Sequence, residues 1–263
     1  ARWDAVHRPE RPIPQGVHSA GAVSIGAHAL LGIGWLGGCL LQLVWVVSHH
    51  GPVWTWRDFL TDPTTRFHYS FLFEQAVLCT FLTLCIVLYA WLHKRIGTGA
   101  PILMAFCRGL LVLWAGTALL EPYEDRLPLL FTWVLPYALC IVVYTIVLSM
   151  VARNESNPDV KLPSLLLQLL FVLPPVGVVL FLSQQTKQPA PAPLAIALLA
   201  FLAWSVASLV TLRRSIPAYV SRALAGFCLV DACFAALLGA PLVGVCFLAF
   251  GLALLLQRVA PAT

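Results

Sequence analysis

The feature that most constrains this chain is its series of solid apolar runs, each about the length that crosses roughly 30 Å of bilayer hydrocarbon. Short islands between the runs hold almost all of the charge. Only 10% of the 263 residues are charged and 60% are hydrophobic, whereas a soluble domain carries about 25% charge. The runs fall at 23–47, 67–92, 102–120, 128–151, 162–182 and 192–212, followed by one stretch at 217–257. As a single helix that last stretch would reach about 60 Å at 1.5 Å per residue. A break is therefore expected at Gly239-Ala240-Pro241, because proline removes a helix donor and restricts the residue before it. A long kinked seventh helix is the competing count. The expected fold is an all-α, polytopic helical membrane bundle of about eight transmembrane helices, which excludes a soluble enzyme, a nucleic-acid-binding domain and a disordered chain. A β-barrel would need alternating segments of about ten residues, and nothing here alternates. The expected organisation is an N-terminal inner-side segment (1–22), a single transmembrane domain (23–258) and a C-terminal tail (259–263).

Counting Lys and Arg at the span ends gives the orientation. With the N-terminus inside, the inner side collects Arg2, Arg8, Arg11, Lys94, Arg95, Arg153, Lys161, Arg213, Arg214, Arg222 and Arg258, and the outer side Arg57, Arg66, Arg126 and Lys187. That bias predicts both termini inside. It also accounts for the net charge of +5 without an acidic partner. The first 20 residues carry three Arg, three Pro and no apolar core, so no cleavable signal is expected there. Segment 51–60, with Trp54 and Trp56 beside Arg57 and Asp58, reads as an interfacial outer loop. The proline-rich segment 183–193 reads as an extended, solvated one. Asn154-Glu155-Ser156 matches a glycosylation sequon but falls on the inner side, and is expected unmodified. The eight cysteines lie within apolar runs and form no CxxC pair, so they read as small hydrophobes.

Ionisable groups within spans are costly and are the first place to look for function. There are three: Glu74, Arg108 and Asp231. One reading makes Arg108 and Asp231 a structural ion pair, since an unpaired charge at that depth costs several kcal/mol. Their depths from the inner face, about 9 Å and about 20 Å, leave a gap that a long arginine closes only in part. The other reading gives Glu74 and Asp231 acid and base roles in an apolar pocket.

Among the histidines, His28 and His93 fall toward the inner side and His49, His50 and His68 toward the outer side. His28 alone is well inside a span, which makes it the candidate tetrapyrrole ligand. HxxxH and HExxH spacings are absent, and no metal site is expected. Lys94, Lys161 and Lys187 lie outside the spans, which disfavours a retinal Schiff base. Gly34, Gly37 and Gly38 give the first helix a flat face, expected to serve close packing within the chain more than a dimer contact. No repeat with a period of 20–50 residues and no inverted transporter repeat is apparent.

Residues 30–125 resemble a family of small uncharacterised three-span membrane proteins of bacteria and plants. The likeness rests on Phe59-Leu60-Thr61-Asp62-Pro63 and Arg66-Phe67 after an aromatic outer turn, on Glu74 early in the next span, and on Lys94-Arg95-Ile96-Gly97. That family brings no activity with it. In the placement of acidic residues the chain is also similar to membrane-embedded meroterpenoid cyclases, which set one catalytic Glu in helix 2 and one Asp in the last helix. Glu74 and Asp231 would be the corresponding pair.

Lacking a catalytic cluster, a nucleotide motif or a transporter repeat, and with nine Trp, many apolar faces and little soluble mass, the chain reads as a non-catalytic accessory or scaffolding subunit. It would serve a larger membrane assembly, respiratory or photosynthetic. The alternative is an intramembrane cyclase or isomerase acting on an isoprenoid or other lipid through Glu74 and Asp231. A transporter or channel would need more polar lining than these helices supply. The expected partners are membrane lipids and other integral membrane subunits, with no nucleic acid. No cofactor is expected beyond bound lipid, with haem or chlorophyll the weaker alternative. The membrane would be an organellar inner membrane, a thylakoid or a bacterial plasma membrane.

Overall fold

A computed structural model of the chain describes residues 15–16, 19–50, 61, 63–93, 99–119, 126–153, 165–185 and 191–259. Among these residues there is no strand, and eight helices are long and apolar enough to cross a membrane. They are α1 (Ala20–His50), α2 (Pro63–Leu92), α3 (Gly99–Leu119), α4 (Arg126–Ala152), α5 (Leu165–Gln185), α6 (Pro191–Leu212), α7 (Ile216–Leu238) and α8 (Ala240–Val259). The long last stretch breaks where the sequence places the break. Gly239 has φ +155°, a conformation open to glycine at little cost, and its N–H closes α7 on the Ala235 carbonyl at 2.9 Å. The tryptophan-rich loop 51–60, the basic pair 94–95, the sequon 154–156, residues 186–190 of the proline-rich segment and the side chains of His49, His50 and His68 lie outside the described residues. So do 1–14, 17–18 and 260–263.

The chain forms two compact units, Ala1–Leu84 and Cys85–Thr263. In the first, polar contacts tie α1 to α2. Trp35 Nε1 donates to Thr80 Oγ1 at 3.1 Å, and the Cys79 thiol donates to the Trp35 carbonyl at 3.9 Å. Gln42 and Gln75 are buried. Of the three glycines that give α1 its flat face, Gly38 is buried. At Gly34 and Gly37 no heavy atom of the described residues lies within 4 Å of where a Cβ would stand, while Leu30, Ile33, Leu36 and Leu40 are exposed.

Within the second unit, small residues let the helices approach, as lipid-embedded packing requires in the absence of a hydrophobic drive between helices. A Cβ on Gly109 would stand 2.5 Å from Val142 Cγ2, and one on Gly116 would stand 2.3 Å from Val134 Cγ1. These two glycines, seven residues apart on one face of α3, thus set its antiparallel contact with α4. On α7, Ser215 caps the N-terminus by accepting from Ala218 N–H at 3.4 Å, and Pro217 sits in the first turn, where its missing donor is harmless. Ala223, Ala225, Gly226, Ala232 and Ala236 then keep α7 narrow, and it is buried along most of its length. The core gathers Tyr144 of α4, Phe171 of α5, Phe201 of α6, and Tyr219, Phe227 and Val230 of α7.

One turn of α4, Leu130–Val134, is π-helical. The cause is Pro136, which has no N–H to offer the Thr132 carbonyl and whose ring would collide with it. The helix widens to accommodate this, and Leu135 N–H bonds to Leu130 O, five residues back.

Candidate functional site

Asp231 lies in the middle of α7, in Phe227-Cys228-Leu229-Val230-Asp231. Facing it across the antiparallel contact, α4 presents Tyr137, Cys140 and Tyr144 at helical spacings of three and four residues. The Tyr137 hydroxyl donates to Asp231 Oδ1. Its ring packs on Phe234, one turn further along α7, with centroids 4.2 Å apart. Two turns down α4, the Tyr144 hydroxyl donates to the Ala223 carbonyl at 2.8 Å. This leaves no room for a side chain at Gly226, where a Cβ would stand 2.5 Å from that hydroxyl oxygen. The Tyr144 ring stacks on Phe171 at 4.3 Å and meets Phe227 edge-on at 4.6 Å.

Arg108 of α3 enters this cluster from the side. Its guanidinium carbon lies 4.3 Å from the centroid of the Phe227 ring, a cation–π contact. Asp231 is within electrostatic range but not hydrogen-bonded to it. The geometry follows from depth, since Phe227 precedes Asp231 by four residues, about 6 Å along the helix. The arginine therefore meets an aromatic face one turn short of the carboxylate. Four thiols, Cys140, Cys228, Cys233 and Cys246, also lie within electrostatic range of Asp231. Among the described residues all eight cysteines are free, and no group of His, Cys, Asp and Glu is arranged to hold a metal.

Of the three intramembrane charges, the structure thus brings Arg108 and Asp231 into one cluster. Glu74 is an exposed side chain on the part of α2 that belongs to the other compact unit. His28 is exposed on α1, with Nδ1 donating to the Ser24 carbonyl at 2.7 Å. That bond fixes the tautomer with Nε2 as the acceptor, the form in which histidine ligates a metal. Chemically, the cluster offers Asp231 Oδ1 a hydroxyl donor from Tyr137. Asp231 Oδ2 accepts no hydrogen bond among the described residues. No known protein family, curated protein or solved structure matches this chain.

Proposed function

We propose that this multi-pass membrane protein is a non-catalytic accessory or scaffolding subunit of a larger, energy-transducing membrane assembly, with both termini on the inner side. The observation that carries this reading is the use to which the buried polar groups are put. Tyr137, Tyr144 and Arg108 are spent on a carboxylate, a backbone carbonyl and an aromatic ring of α7, which ties α3, α4 and α7 together. Polar contacts of this kind hold helices together in lipid, where apolar burial does not. The stretch of α1 with open space at Gly34 and Gly37 and exposed Leu30, Ile33 and Leu36 beside it offers a neighbouring subunit a surface for close helix packing. The protein purified from its native membrane in mild detergent is expected to retain stoichiometric integral membrane partners and to show no visible absorbance. A lone chain would contradict the subunit role, and a Soret band would show a bound haem, with His28 the candidate ligand.

A second reading, an intramembrane cyclase or isomerase acting on an isoprenoid or other lipid, is favoured by the open Oδ2 of Asp231 and by the π-helical turn that lies shortly before Tyr137. Such turns recur at functional sites. In that reading Asp231, with the Tyr137 hydroxyl on its Oδ1, supplies the acid and base. Turnover of a prenyl lipid by the purified chain, abolished in Asp231→Asn, would replace the first reading with this one.

A further inference from the structure

At the inner end of α6, α7 and α8 lies a second polar arrangement, which the Asp231 cluster does not involve. Arg222 of α7 donates through Nη1 to the Ala207 carbonyl at 3.1 Å and to Thr211 Oγ1 at 2.7 Å, both on α6. Its guanidinium carbon lies 5.5 Å from the centroid of the Trp204 ring, and Trp204 Nε1 donates back to the Arg222 carbonyl at 2.8 Å. The side chain is therefore held in place on one edge. On the other edge, Nε and Nη2 donate to nothing among the described residues, and the side chain is only partly buried. Gln257 of α8 donates to the Ser221 carbonyl at 2.7 Å, which brings the exposed Arg258 to the same level. Arg213 and Arg214 are exposed in the turn between α6 and α7. Within 191–259 the only acidic residue is Asp231, nine residues or about 14 Å further along α7.

We propose that Arg222, with Arg213, Arg214 and Arg258, forms a site for the phosphate of an anionic membrane lipid. A guanidinium fixed on its Nη1 side presents Nε and Nη2 as a planar fork, which matches two oxygens of a phosphate. The general bias of positive charge to the inner side explains why arginines are here. It does not explain why one of them is anchored by two acceptors and a tryptophan with its fork left open. A free phosphate ion shares this chemistry, but the site sits at the ends of membrane-spanning helices, where basic residues meet anionic headgroups and lipid tails hold the phosphate at that depth. The proposal rests on the membrane-spanning architecture and is independent of the accessory-subunit role.

The test is native mass spectrometry of the full chain in detergent, with phosphatidylglycerol, phosphatidylcholine or inorganic phosphate as the probe. Phosphatidylglycerol is expected to bind about tenfold tighter than phosphatidylcholine and not to be displaced by equimolar inorganic phosphate. Arg222→Lys keeps the charge and loses the fork, so it is expected to remove about tenfold of that preference. The Arg213→Gln/Arg214→Gln variant should lose about fivefold or more, and it decides the matter if Arg222→Lys does not fold. Equal binding of the two lipids, unaltered preference in the variants, displacement by inorganic phosphate, or an equal loss from Arg153→Gln at the end of α4 would each overturn the site.

Discussion

Tyr137→Phe is the sharpest perturbation of the helix-tying cluster, because it deletes one hydroxyl and leaves the ring free to keep its place on Phe234. In the structure that hydroxyl donates to Asp231 Oδ1 across the α4–α7 contact. A hydrogen bond to a charged group contributes about 1.5–3 kcal/mol, while interhelical bonds in a membrane average about 0.6 kcal/mol and reach about 1.7 kcal/mol. The bond joins two partly buried side chains in the most buried part of the bundle, so a loss of about 1–2 kcal/mol is expected, at the upper end of the membrane range. Asp231→Leu should cost more, since it orphans the Tyr137 hydroxyl and removes the charge facing Arg108. The double variant should then cost about 1 kcal/mol less than the sum of the two single losses. Reversible unfolding of the four proteins by SDS in mild detergent, followed by tryptophan fluorescence, measures this coupling. A value below about 0.3 kcal/mol, the scatter seen for independent sites, would refute the idea that Tyr137 and Asp231 hold α4 to α7.

Three further outcomes follow from the packing and from the second functional reading. Gly116→Leu is expected to destabilise by about 1–3 kcal/mol through overpacking against Val134, and Val134→Ala should recover part of that in the same unfolding assay. Ser205→Ala should stabilise by about 0.5–1 kcal/mol, because Ser205 Oγ is buried without a hydrogen-bond partner among the described residues and a methyl there has nothing left to satisfy. Glu74→Gln keeps the shape of the side chain and loses the ionisable proton. It is expected to leave stability within about 0.5 kcal/mol and to show itself only as a changed yield of the assembled complex, whereas loss of a lipid-transforming activity would favour the enzyme.

Much of this architecture is legible in the residues themselves. The apolar runs mark the eight spans, and the 239–241 break is readable because a proline beside a glycine stops a helix whatever surrounds it. Arg108 and Asp231 stand out as charges in apolar runs, and counting residues already shows that they sit at unequal depths. Their actual partners are not legible in the same way. Tyr137 and Tyr144 look like two more aromatic residues in an apolar run, and only their spacing with Cys140 on one face hints that they act together. Phe227 carries no signal at all, because a cation–π contact depends on which helix lies opposite. Pro136 does announce a disturbance in α4, but whether the helix kinks or widens depends on the neighbours it packs against. Arg222 reads as one more inner-side charge, since its anchoring by Thr211 and Trp204 arises only when α6 and α7 fold back on each other.

The central claim is that the chain works by packing against other membrane subunits, and photo-crosslinking from α1 in the native membrane tests it most directly. Ile33 lies beside Gly34 on the exposed side of α1 and is itself 66% exposed, so a benzoylphenylalanine placed there samples whatever covers that side. The account predicts one adduct of defined mass, formed with an integral membrane protein that also co-purifies with the chain in mild detergent. Adducts with lipid alone, from a chain that purifies without partners, would contradict it.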